Sequence, residues 1–253
     1  MTPDSQTLTE YPLWDAPTRL FHWINALSVF VLMAIGTVIY NGSALGLSND
    51  GKVLLKTWHV WVGYLFLANL AWRLVWAFIG NRHARWRAMV PGGRGYLGAL
   101  RRYSASVVAG RAERYLGHNP LGRVAVTVLL LVLLVQGLSG LVLAGTDIFY
   151  PPFGGAIAEW IAADGVDPDT LVPYRPDLVD ESAFDAMRAL RGPFIETHEL
   201  LFFVLIGLVL LHIVAVVVTE LRGGGTLISA MVTGRKALAG EPADLPKDRG
   251  RSS

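Results

Sequence analysis

Four of the six histidines, His22, His59, His198 and His212, fall within or at the edge of long apolar runs. An imidazole in hydrocarbon finds no water to bond, so such groups usually face a protein interior and a partner. Neutral imidazole is also the commonest side-chain ligand for metals. His198 and His212 are fourteen residues apart on one run. As a helix, that is about 21 Å of rise and about 40° of azimuth, so one face carries two ligands at two depths. His59 matches the outer depth and His22 the inner one once the runs are oriented as below. The pairs His59/His198 and His22/His212 have the pattern of axial ligands to two iron porphyrins. The chain has no cysteine. Thiolate metal sites, iron–sulfur clusters and C-x-x-C-H haem attachment are thereby excluded, and any haem must be held non-covalently, through histidine or methionine.

The same spacing marks further residues. Arg73 lies fourteen residues past His59, at the inner depth and on the same face. A buried guanidinium needs an anion, and haem propionates are anions. Arg19, one turn before His22, suits the same role or a headgroup anchor. Gly36 lies fourteen residues past His22 at the outer depth, where the absence of a side chain admits a flat ring. Gly63 and Gly207 on the ligand-bearing runs offer similar clearance. Gln136, Gly137, Ser139 and Gly140 form a small polar patch on a run that supplies no ligand. Each feature has a plainer reading: interfacial histidines, glycines that pack helices closely, and an Arg73 that snorkels to the surface. The joint pattern of four histidines, two depths and one shared face favours the haem reading. His83 and His118 read as surface residues of a basic loop.

The elements that position these residues are legible from hydropathy. The chain has 253 residues, 53% of them hydrophobic and 17% charged. That is less charge than a water-exposed surface normally carries. Four segments are long enough to span about 30 Å of hydrocarbon: Leu20–Tyr40, Thr57–Ile79, Arg123–Ala144 and Ile195–Thr219. The expected fold is an all-α membrane protein, a bundle of four transmembrane helices. The loop 80–122 holds eight arginines against Glu113, whereas the loop 145–194 holds nine acids against three arginines. By the positive-inside bias the basic loop and both termini are cytoplasmic, and the acidic loop lies outside. The chain then divides into a cytoplasmic segment 1–19, a transmembrane domain 20–219 and a cytoplasmic tail 220–253. The N-terminus lacks a basic region and a short apolar core, so the first span is expected to remain as an anchor. Short helices are expected near 155–163 and 181–190, and surface helices at 96–108 and along TLISAMVTGRKAL. The last stretch, GEPADLPKDRGRSS, reads as disordered.

The stretches WDAPTRLFHW, KTWHVWVGYLF, RLVWAFIGNRHARW, GHNPLGR, THELLFFVLIGLVLLH and ISAMVTGRK occur in this order. In them the chain resembles the bacterial cytochrome b family that includes the b-type subunits of membrane-bound nickel–iron hydrogenases. The resemblance covers nearly the whole chain outside its ends and much of the acidic loop. It implies a four-helix cytochrome of the bacterial inner membrane with His22, His59, His198 and His212 as ligands to two haems b. It implies electron exchange with a quinone, and with a periplasmic partner such as a hydrogenase small subunit or a c-type cytochrome. A nucleic acid is not among the implied partners.

The function expected is transmembrane electron transfer, as a subunit rather than a stand-alone enzyme, since no catalytic constellation is present. An acidic outer loop suits docking of a basic redox protein. Two other classes compete: a haem-free anchor or assembly subunit, and a histidine-based transporter. A transporter would more often carry acids within its spans, and these spans carry none away from their ends.

Overall fold

The computed structural model describes residues 8–223 and 226–245. In chain order the elements are β1 (Leu8–Pro12), α1 (Ala16–Tyr40), α2 (Asn49–Ile79), α3 (Trp86–Met89), α4 (Tyr96–Val108), α5 (Pro120–Ile148), α6 (Gly154–Ile161), α7 (Glu181–Gly223), α8 (Leu227–Thr233) and β2 (Arg235–Ala239). Helices α1, α2, α5 and α7 are long and apolar enough to cross a membrane. Most of their large apolar side chains face outward, Leu211 at 64% and Val214 at 57% exposure for example. Lipid is the solvent that makes this stable.

All four long helices start earlier than hydropathy alone indicates, and in each case a side chain caps the first turn. The Asp15 carboxylate accepts from Thr18 N at 3.1 Å, and Ser48 Oγ from Gly51 N at 3.1 Å. Asn119 Oδ1 accepts from Gly122 N at 2.7 Å, with Pro120 at the first helical position. Asp180 Oδ1 accepts from Ala183 N at 2.8 Å. Such caps satisfy donors that the helix cannot. Hydropathy reports only the part of each helix that lies in hydrocarbon.

The chain forms two compact units. One takes in the described residues of Met1–His22, Trp72–Leu130 and Leu208–Ser253. Here β1 and β2 form an antiparallel ribbon, Leu8 opposite Ala239 and Pro12 opposite Arg235. Leu13, Leu116, Ala230 and Leu238 are buried together with Tyr11, Trp14 and Leu245 packed against them. Buried Lys236 donates to the carbonyls of Tyr115 at 2.6 Å and Leu116 at 3.2 Å. The Asp244 carboxylate accepts from the backbone of Leu116 at 2.6 Å and Gly117 at 2.8 Å.

This unit corrects two expectations. The tail is not one surface helix, because α8 ends at Gly234 and the chain then pairs as β2. The expected disorder from residue 240 onward does not hold through 245, where Asp244 is anchored as described. Residues 1–7 and 246–253, including the rest of that expected disorder, lie outside the described residues. The helix expected at 96–108 is α4.

The other unit takes in Trp23–Ala71 and Leu131–Gly207. The acidic loop folds on itself here. Its buried centre is Ala158, Ile161, Leu171 and Met187, from α6, the 3-10 turn Pro168–Thr170 and the start of α7. The expected helix near 155–163 is α6. The helix expected at 181–190 is not separate from the last span: α7 runs through Pro193 without a break. Gly192 before the proline presents no side chain to its ring, which lowers the usual steric conflict.

Candidate functional site

In the second unit, α2 supplies His59 and α7 supplies His198. Their ring centroids are 6.2 Å apart at an interplanar angle of 69°. Both line a cavity walled by apolar side chains such as Val29, Leu32, Phe66, Leu133 and Phe202. An imidazole nitrogen sits about 2 Å from a bound metal and about 1.1 Å from its own ring centre. Two rings on opposite sides of one iron would therefore lie about 6.2 Å apart centre to centre. The observed separation fits that arrangement.

Donor accounting assigns the orientation of His198. Its Nδ1 is 3.0 Å from Ser139 Oγ, and Ser139 donates its own proton to the Gln136 carbonyl at 3.0 Å. The hydroxyl therefore accepts, the ring carries its proton on Nδ1, and Nε2 keeps a lone pair for a ligand. Nδ1 of His59 is buried without a hydrogen-bond partner. A Cβ on Gly36 would stand 3.5 Å from His59 Cε1, and one on Gly140 would stand 3.2 Å from His198 Cε1. Both glycines keep the His59 and His198 rings free of side chains. Gly63 lines the cavity and faces open space, whereas Gly137 packs against Leu67 and Phe66. An orphaned imidazole nitrogen, glycine clearance and an apolar cavity together fit a haem.

The cavity also holds charges not singled out from the sequence. Asp147 accepts from Lys56 Nζ at 2.6 Å and pairs with Arg191 Nε at 2.6 Å. Lys56 Nζ lies 5.7 Å from the centre of the Tyr174 ring. The signal was present in the spacing. Lys56 is one turn before His59 and Arg191 two turns before His198, so each shares a helix face with one of the paired histidines.

In the first unit, α1 supplies His22 and α7 supplies His212, and the two lie within electrostatic reach of each other. His22 is half-buried and His212 exposed. Arg19 donates to the Val232 carbonyl, and its Nε is buried without a hydrogen-bond partner. Arg73 does not snorkel. It is 4% exposed, with Nη2 donating to the Ala84 carbonyl at 3.0 Å and touching Met89 Sδ. Its guanidinium carbon lies 5.7 Å from the centre of the Phe21 ring, and Nη1 is buried without a partner.

The structure corrects the reading of His83 and His118 as surface residues. His83 is buried, its Nε2 accepting from Arg82 Nε at 2.8 Å. His118 sits with its ring 5.2 Å from that of Trp14, and its Nδ1 is sealed from solvent. Burial pushes the His118 imidazole down to about 4, and the nearby charges of Arg73 and Arg123 push the same way. Burial works to raise the Asp15 carboxyl. Bonds from Thr18, Asn81 and Trp76 outweigh it and hold the group below its ordinary value. These roles were not legible from sequence because a histidine among arginines looks like a solvated face.

Comparison with known proteins gives a consistent result. The family model described as prokaryotic cytochrome b561 matches residues 13–234. A probable Ni/Fe-hydrogenase B-type cytochrome subunit of Cupriavidus necator is 26% identical over 234 residues, covering 88% of this chain and 85% of that protein. The protein of the same description from Rhizobium leguminosarum bv. viciae is 27% identical over 239 residues, covering 88% and 87%. A probable Ni/Fe-hydrogenase 1 B-type cytochrome subunit of Escherichia coli (strain K12) is 32% identical over 136 residues, covering 49% and 56%. No solved structure matches the chain significantly.

Proposed function

Because this chain belongs to the prokaryotic cytochrome b561 family, and so is a multi-pass electron-transferring b-type cytochrome of the bacterial inner membrane, we propose that it holds two haems b between four histidines. His59 and His198 would hold the outer haem, and His22 and His212 the inner one. The observation that carries this reading is the His59–His198 ring spacing of 6.2 Å inside an apolar cavity. Haem b supplies a one-electron couple whose potential follows its ligands and burial. Ser139 holds the His198 ring in the orientation that presents Nε2. Gly36 and Gly63 leave clearance beside the outer ligands. Arg73 and Arg19 bring buried guanidinium nitrogens that lack acceptors to the inner pair.

The arginine-rich loop and both termini would be cytoplasmic, and the acidic loop periplasmic. The partners inferred are a quinone or quinol in the membrane and a redox protein outside it. The relatives' names favour a hydrogenase small subunit. The charge of the outer loop favours a partner with a basic face, such as a c-type cytochrome. Its nine acids meet three arginines, of which Arg175 is tied to Asp177 and Arg191 to Asp147.

Single alanine substitutions test the assignment. His59→Ala or His198→Ala should remove one low-spin b spectrum, and His22→Ala or His212→Ala the other. Retention of both spectra in any of the four variants would refute that residue's role. Isolation from native membranes should recover the external partner in a salt-sensitive complex. Recovery without any redox protein would argue for the haem-free anchor.

A further inference from the structure

His118 has no part in the reading above, and none of the charges acting on it is an anion's. It stands immediately before Asn119, the residue that caps α5. Its Nδ1 is sealed and has no hydrogen-bond partner. The charges that act on it are those of Arg73, Arg123, His83 and Lys236, all cationic or basic. Arg73 is 4% exposed, and its Nη1 is likewise sealed and without an acceptor.

Three acids act on these cations, Asp15 on Arg73, Asp244 on His83 and Lys236, and Glu220 on Lys236. All are already engaged, Glu220 accepting from Leu227 N at 2.6 Å. Asp15 accepts from Thr18 N at 3.1 Å, Trp76 Nε1 at 3.1 Å and Asn81 N at 3.1 Å. Asp244 accepts from the backbone of Leu116 and Gly117. Arg123 is held by carbonyls, its Nε on that of Ala88 at 2.9 Å and its Nη2 on that of Arg87. A buried guanidinium nitrogen and a buried imidazole nitrogen thus share a positive field with no free acceptor. Such groups are costly alone and strong together around an anion.

We propose that Arg73 and His118 jointly receive one carboxylate of the inner haem, with Arg123 adding its field. This rests on the two-haem reading. The chemistry required is a carboxylate or phosphate oxygen entering from the membrane side. Arg73 favours the haem's own carboxylate, because its guanidinium lies over the ring of Phe21, next to the ligand His22. His118 in its Nδ1–H form would donate to one oxygen and Arg73 Nη1 to the other.

The test is a spectroscopic redox titration of the full-length protein. It uses the His59→Ala background, which leaves the inner haem alone, with Arg73→Gln, Arg73→Lys or His118→Leu added. Removing a positive charge near the haem favours the ferric state. At the parent's midpoint, Arg73→Gln should shift the reduced-to-oxidised ratio about tenfold toward oxidised, which is 59 mV for one electron. His118→Leu should shift it roughly threefold the same way, and Arg73→Lys should recover most of the loss. Each protein is then reconstituted with haem whose two carboxylates are methyl esters. The differences should vanish.

Unchanged ratios in both Arg73→Gln and His118→Leu would overturn the proposal. So would differences that survive esterification, which would assign the site to a lipid phosphate or a bulk anion. If Arg73→Gln fails to load haem, His118→Leu and the esterified parent still decide the matter. A parent protein without haem would instead defeat the two-haem reading.

Discussion

Replacing Ser139 with alanine should raise the potential of the outer haem and leave the inner one unmoved. Ser139 is 4% exposed, and its hydroxyl accepts the Nδ1 proton of His198 at 3.0 Å. On the proposed ligation, that bond would make the ring a stronger donor to iron and would strengthen when the iron is ferric. A net hydrogen bond is worth about 1 kcal/mol. The Gln136 carbonyl, freed of the Ser139 hydroxyl, would take over part of it. A differential of roughly 0.5–1 kcal/mol between the two iron states corresponds to about 20–40 mV for one electron, upward. The assay is a redox titration that resolves the two b-type components, with Ser139→Thr as the variant that keeps the acceptor. An unchanged or lowered outer potential, or a shift confined to the inner haem, would refute the tautomer assignment.

Three further outcomes follow from the same geometry. Gly36→Leu should abolish outer haem binding, since its Cβ alone would lie 3.5 Å from the His59 ring; haem per chain decides it. Asp147→Asn leaves Lys56 and Arg191 facing each other in a largely buried setting and should cost about 1–3 kcal/mol, read as weaker outer-haem retention and a lower unfolding temperature. The haem-free protein should also weaken as pH falls from about 6.5 to 4. Its His118 titrates at about 4 when folded and at its ordinary 6.5 when unfolded, so the unfolded chain binds more protons across that window. The loss should be roughly 3 kcal/mol at most, and the slope should flatten in His118→Gln when thermal unfolding is compared at several pH values.

The spans and the pairing of histidines by depth were legible because both follow from one-dimensional properties of a helix. Hydropathy marks where lipid touches the chain, and a fourteen-residue step returns to one face. The helix starts were less legible, since Asp15, Ser48, Asn119 and Asp180 act outside the apolar runs. The short helix expected near 181–190 and the last span are one helix, since α7 passes through Pro193. The pairing of β1 with β2 joins residues more than two hundred positions apart, and neither strand is long enough to announce a partner. Asp147 looked like one acid among nine in a loop. Its role with Lys56 and Arg191 depends on three elements meeting, which spacing along any one of them does not reveal. His118 was misread for the related reason that burial of a polar residue is decided by what folds over it, here Trp14 on a distant segment.

The most direct measurement is the haem content of the purified full-length protein, compared with that of a variant carrying both His59→Ala and His198→Ala. Two haems b per chain falling to one is the expected result. A colourless protein, or a haem count that the double substitution leaves unchanged, would contradict the assignment of paired histidines to iron.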